Sequence, residues 1–134
     1  MLEMPTVAEA VMARATFVVA LALFRAMAMD AWASDGEGRT AFNNHCRNCH
    51  SIKRGDNRLG PSMYGIFGAE AGQVSGYLGY SGGLTGFKWD EATLDRFIAD
   101  PASVSSVTTM IYPPVGDPVE RKKIIAFLRA LSGP

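Results

Sequence analysis

The sequence predicts a small all-α domain folded around a centre that its own side chains do not supply. Three observations predict it. Helical periodicity with capping signals recurs in three places, a long glycine-rich stretch between the first two shows no sustained period, and no segment alternates as a strand would. With 134 residues, the chain has room for one domain.

The first helix starts at Ser34 or Asp35 as N-cap and runs towards Cys49, with Phe42, Cys46 and Cys49 at helical spacing. From Ile52 to Lys88 the chain is rich in glycine, and Pro61 is its one proline, so it reads as loop with a short turn near Met63 to Phe67. A loop of that length in a compact domain usually wraps something. Asp90 caps a second helix with Leu94, Phe97 and Ile98 on one face, and Pro101 ends it. The last helix has Asp117 as N-cap, Pro118 at its first position and Glu120 completing a capping box. Its buried face is Ile124, Phe127, Leu128 and Leu131, and its outer face carries Arg121, Lys122 and Lys123.

The 14 glycines all lie in residues 34–134, which separates the first 33 residues from the rest. In that leading part Arg14 precedes an apolar run from Ala15 to Phe24, and Ala31-Trp32-Ala33 offers small residues where an export peptidase reads them. The expectation is a secretory signal peptide over 1–33, with a domain over 34–134; Ala26-Met27-Ala28 is a second cleavage site. Ten apolar residues ended by Arg25 are too few for a retained anchor, since a spanning helix needs about 20. Thirteen basic residues balance 13 acidic ones, and no basic run exceeds Arg121-Lys122-Lys123, so nucleic acid is not an expected partner.

Both cysteines fall in His45-Cys46-Arg47-Asn48-Cys49-His50, which contains the Cys-x-x-Cys-His attachment motif of c-type haem. Two thiols about one helical turn apart can each add across a vinyl group of the porphyrin, and His50 then stands next to the iron. Zinc is a weaker reading, because no Cys or His follows His50 to complete a site. A redox dithiol is weaker too, for want of a βαβ context. His45 lies on the wrong side of the motif to reach the same iron and reads as a partly exposed helix residue. Beyond the leader the methionines are Met63 and Met110. Met63, just after Pro61, fits an apolar wall, whereas Met110 stands in an irregular segment between two helices. It is read as the sixth iron ligand, the alternative being a plain core methionine.

From Gly38 to about Leu131 the chain resembles the class I c-type cytochromes, of the mitochondrial type and its soluble bacterial relatives. Gly38 with Phe42 looks like that family's N-terminal helix contact, and Ile124 to Leu128 like its C-terminal partner. The resemblance implies a small class I cytochrome c fold, three main helices and short turns wrapped around one haem c bound through Cys46 and Cys49. It implies that Pro61, in Leu59-Gly60-Pro61, accepts a hydrogen bond from His50. Gly76 to Trp89 is similar to the loop covering the haem propionates, with Tyr80 and Trp89 as donors. Thr108-Thr109-Met110-Ile111-Tyr112 looks like the methionine strap, with Thr108 reaching a propionate and Tyr112 covering the haem edge. The chain departs from the pattern at Ala69-Glu70, where an arginine is common, and at Phe97, where a tyrosine often bonds the methionine sulfur.

A haem with both axial positions filled by His50 and Met110 has no site for substrate, which implies a single-electron carrier rather than an enzyme. The expected place is the periplasm, without stable membrane insertion. The expected partners are redox complexes: a quinol–cytochrome c reductase or a dehydrogenase as donor, and an oxidase, reductase or reaction centre as acceptor. Two alternatives are a haem enzyme or gas sensor with a labile sixth position, and a dedicated electron-accepting subunit of one dehydrogenase. The sparse lysines, Lys53, Lys88, Lys122 and Lys123, argue against a strong ring of positive charge and keep the dedicated-subunit reading open.

Overall fold

The structure, a computed structural model, describes residues 35–133; the expected signal peptide over 1–33 lies outside them. Helix α1 covers 35–45. It buries Gly38, Ala41 and Phe42, three to four residues apart and so on one face. Helix α4, Pro118–Ser132, starts as its sequence requires: the Asp117 side chain accepts from Val119 N, and Pro118 occupies the first turn, where a missing N–H costs nothing. Ile124, Phe127 and Leu128 are buried as expected, Leu131 only partly, and Ile125 joins them.

The two terminal helices meet where α1 has no side chain. A Cβ placed on Gly38 would stand 2.7 Å from Phe127 Cβ and 2.8 Å from the Lys123 carbonyl oxygen, so only glycine admits this approach. One turn further on, the Phe42 and Phe127 rings pack at 5.7 Å. Phe42 and Ile124, both on this seam, are the largest fully buried side chains.

Between the helices the chain from 50 to 90 runs in turns and bends, as its composition predicts. One feature of it was not legible in the pattern. Gly68 N donates to Trp89 O, Trp89 N to Ala69 O and Ala71 N to Phe87 O at 2.7–2.9 Å, and Glu70 pairs with Lys88 in an isolated antiparallel bridge. The bridge draws the ends of the 70–88 segment together into a closed loop. The wrap is also tied to α4, since Phe67 N donates to the Ser132 hydroxyl at 3.1 Å.

Helix α2, Glu91–Ala99, carries the reciprocal capping box, formed by Asp90 and Thr93. The box expected at α4 is absent, because Glu120 turns instead to Lys123 at 3.0 Å and towards His45 at 3.8 Å. Pro101 does more than end α2. Asp100 accepts from Ala102 N, and Pro101 opens a short helix α3, Pro101–Val104, since proline is as well suited to a first turn as it is unsuited to an interior.

Arg121 also corrects the sequence reading, which put it on the outer face. Its side chain is only 13% exposed. It stands three residues before Ile124, on the inner edge of α4, and its Nε donates to Asp95 Oδ1 at 2.7 Å. Its Nη1 donates to the carbonyls of Val115 and Gly116 at 3.0 and 2.9 Å. One guanidinium thus joins α4, α2 and the end of the 105–117 segment. Among the described residues, no helix is long and apolar enough to cross a membrane.

Replacing Gly38 by alanine is expected to cost about 1–3 kcal/mol, the usual range for overpacking a tight contact. Denaturant unfolding of the holoprotein measures this, and an unchanged midpoint would show that the helix crossing can shift freely.

Candidate haem site

A cavity of about 570 Å³ opens at the C-terminal end of α1, bounded by the wrap, α2, the 105–117 segment and α4. All nine residues that the sequence marks as haem contacts line it: Cys46, Cys49, His50, Pro61, Tyr80, Trp89, Thr108, Met110 and Tyr112. Its volume is that of a site for a sizeable cofactor. Met63 forms part of the wall, as expected, and its N–H donates to Ser51 O at 2.7 Å.

The cysteines reach the cavity through a tight turn at the end of α1. Cys46 N donates to Phe42 O at 2.8 Å, the last helical bond, and Cys49 N and His50 N both donate back to Cys46 O, at 3.1 and 2.9 Å. This reversal sets both thiols and the imidazole on one wall. The two cysteines form no disulfide with one another. Burial, followed by the neighbouring Cys49, pushes the Cys46 thiol up to about 12.

The wrap then crosses over the imidazole. Gly60 N donates to Cys49 O at 2.8 Å, which lays the Gly60 backbone flat against the ring; a Cβ there would fall 2.6 Å from Nδ1. His50 Nδ1 lies 2.8 Å from the Pro61 carbonyl oxygen. A carbonyl can only accept, so Nδ1 carries the proton and Nε2 keeps its lone pair for a metal. Burial lowers the His50 pKa, the Pro61 bond opposing, which favours the neutral ring that a metal ligand needs.

Across the site the polar groups are few and unspent. Trp89 is buried, edge-on to Phe87 and Phe97 at 5.1 and 5.0 Å, and its indole N–H has no acceptor among the described residues. The Tyr80 hydroxyl accepts from Val74 N at 3.3 Å, which leaves its own proton free, and burial raises its pKa. The Thr108 hydroxyl accepts from Met110 N at 3.2 Å and likewise keeps a donor. Among the described residues no Asp, Glu, Lys or Arg lines the cavity, so the charge that Ala69 fails to supply is not supplied by another side chain there. Apolar walls with a few free donors suit a flat porphyrin whose carboxylates need hydrogen bonds.

Tyr77 and Thr109, to which the sequence reading gave no role of their own, also line the cavity. The Tyr77 hydroxyl donates to Leu59 O at 2.7 Å, and its ring meets Tyr80 edge-on at 4.9 Å; the Tyr-x-x-Tyr pattern was the available signal. Thr109 bonds Gly79 O at 3.5 Å, joining the methionine segment to the wrap. His45, partly exposed as expected, lines the cavity as well.

Comparison with known proteins gives the site its family. The chain is 36% identical over 87 residues to cytochrome c2 iso-2 of Magnetospirillum molischianum, covering 64% of this chain and 90% of that one. It is 35% identical over 96 residues to cytochrome c2 of Rhodopila globiformis, covering 71% and 91%. The solved structure of cytochrome cH from Methylobacterium extorquens superposes with a TM-score of 0.64 at 36% identity, covering 71% of this chain and 96% of that one. No family model matches the chain. The chain belongs to the class I c-type cytochromes. It is accordingly a monohaem electron-transfer protein and not an enzyme, with one haem c joined through Cys46 and Cys49.

Two outcomes are expected from the site. Gly60→Ala pushes the imidazole off Pro61 and shifts the reduction potential of the holoprotein, which voltammetry reads; an unchanged potential would show that the ring needs no such backing. Cys46→Ala combined with Cys49→Ala leaves the cavity walls without covalently held contents, a loss on the order of 10 kcal/mol by cavity arithmetic and comparable with the whole stability of a domain. Far-ultraviolet circular dichroism should show an unfolded chain, and a folded haem-free double variant would refute the account.

Proposed function

We propose that His50 and Met110 are the two axial ligands of the haem iron, and that the protein is an exported carrier of single electrons between redox complexes. The observation that carries this reading is the His50–Pro61 bond, which leaves Nε2 as the one free ring nitrogen of a residue in the cavity wall that Met110 also lines. Haem c supplies one reversible electron at its iron. The rest is the work of the chain.

Pro61 orients the imidazole and strengthens it as a donor, while Gly60 keeps the ring from tilting. Met110 is presented by a segment held at both ends. Thr108 N donates to Ser105 O at 3.1 Å on one side, and Val115 N donates to Ile98 O at 3.1 Å on the other. Thr108 and Thr109 tie the middle down. A ligand fixed in this way moves little between oxidation states, which keeps the reorganisation on electron transfer small. Phe97, Leu94 and Trp89 line the same space and would exclude water from it, while Tyr80, Trp89 and Thr108 would offer donors to the propionates and Tyr112 would cover the haem edge.

The apolar run and small-residue site in 1–33 support export to the periplasm by a cleaved leader. There the donor would be a quinol–cytochrome c reductase or a dehydrogenase, and the acceptor an oxidase, a reductase or a reaction centre.

Absorption spectra of the oxidised and reduced holoprotein test the ligation. A sharp low-spin reduced spectrum with the weak near-infrared band of an iron–thioether bond is expected, and Met110→Ala should abolish that band. A high-spin haem that takes up carbon monoxide when reduced would make the sixth position open and favour a gas sensor or haem enzyme.

A further inference from the structure

The distribution of charge around the cavity mouth says what kind of surface this protein meets. Residues 59–69, 71–87 and 101–116 contain no Asp, Glu, Lys or Arg at all. The fold brings these three segments together. Leu59, Tyr77, Gly79, Thr109 and Ile111 all line the cavity, the Tyr77 hydroxyl bonding Leu59 O at 2.7 Å and Thr109 bonding Gly79 O at 3.5 Å. They form one rim.

On that rim aliphatic side chains face solvent. Leu59 is 79% exposed, Leu78 96% and Ile111 94%. Single exposed aliphatics are ordinary, but five of the six large exposed hydrophobics among the described residues fall in the three uncharged segments. Of the charges that flank these segments, Arg58 pairs with Asp56 at 3.1 Å and Lys88 with Glu70 at 3.9 Å, Asp100 and Asp117 are spent on helix caps, and Arg54 lies over the Tyr64 ring at 4.8 Å. A charged patch brought against Leu59, Leu78 and Ile111 would lose its water and find no counter-charge on these side chains, which is a net cost. An apolar patch would gain by burying Leu59, Leu78 and Ile111.

We infer that the rim formed by Leu59, Leu78 and Ile111 is a docking surface for a redox protein whose own contact face is apolar and uncharged. The inference rests on the electron-carrier reading and adds the chemistry of the partner. Association is then set by contact rather than by long-range steering, and it tolerates salt.

The test uses the full-length holoprotein adsorbed on gold electrodes bearing methyl-, carboxylate- or amine-terminated monolayers, with electroactive coverage read by voltammetry at low and high ionic strength. Coverage should be greatest on the methyl surface and unaffected by salt. Leu78→Glu, at a position outside the cavity wall, should lower it about tenfold, the factor that loss of one buried aliphatic contact brings. The absorption spectrum and solution potential of this variant should match those of the parent, so a failure of docking is distinguishable from a failure of the haem site. Preference for a charged monolayer with release by salt would overturn the proposal, as would wild-type adsorption of both Leu78→Glu and Ile111→Glu. Self-association in sedimentation, or binding to phosphatidylcholine vesicles, that Leu78→Glu abolishes would assign the rim to a second copy or to a bilayer and overturn it too.

Discussion

The structure depends on the cofactor-sized cavity at its centre. A cavity of about 570 Å³ lies among α1, α2, α4 and the loops, and the buried side chains around it pack against it as much as against one another. Ile124 and Leu128 of α4, Leu94 of α2 and Phe42 of α1 are at once core residues and cavity lining. A chain with this much glycine forgoes side-chain contacts and loses more backbone entropy on folding than most. A large apolar cofactor bound through two cysteines makes good both deficits, since it supplies contact area and ties the end of α1 to the centre.

The glycines that matter are those that allow close approach. Gly38 lets α4 cross α1 at backbone distance, and Gly60 lets the wrap lie on the imidazole. In both places the excluded volume of a single Cβ separates the observed packing from a disrupted one. The same logic explains the hydrogen bonds: Cys49 O, Pro61 O and Ser105 O are all carbonyls of irregular chain, and each is engaged by a group that fixes part of the site. The loops are ordered because their polar groups are spent on positioning.

Charge is handled in two separate ways. The helices carry about half of it, and pair part of it within or between themselves: Arg121 with Asp95, Glu120 with Lys123, Arg129 with Glu91. Only the first of these, with a guanidinium sheltered from solvent and three acceptors, is placed to hold elements together; the exposed pairs contribute little. The cavity walls carry none, so hydroxyls and one indole serve where a cation could have stood. That leaves the mouth of the site neutral and apolar, a property of function as much as of folding.

The sequence by itself determined the attachment motif, the caps at Asp90 and Asp117, the buried stripe of α4 and the absence of regular structure between Ile52 and Lys88. These are local: spacing along the chain and the chemistry of one residue decide them. The nine residues it named as haem contacts all come to line the cavity, because family spacing carries the positions of distant groups that no single turn encodes. Only the tertiary structure decided the roles of Arg121, Glu120 and Tyr77, the bridge between Glu70 and Lys88, and the helix that Pro101 opens. Arg121 sits in a run of three basic residues that reads as a solvated face, and nothing local shows that Asp95 and two carbonyls wait on its side of the helix. Partners that lie 26 or 18 residues away are brought near by packing around the cavity, and packing is a property of the whole chain.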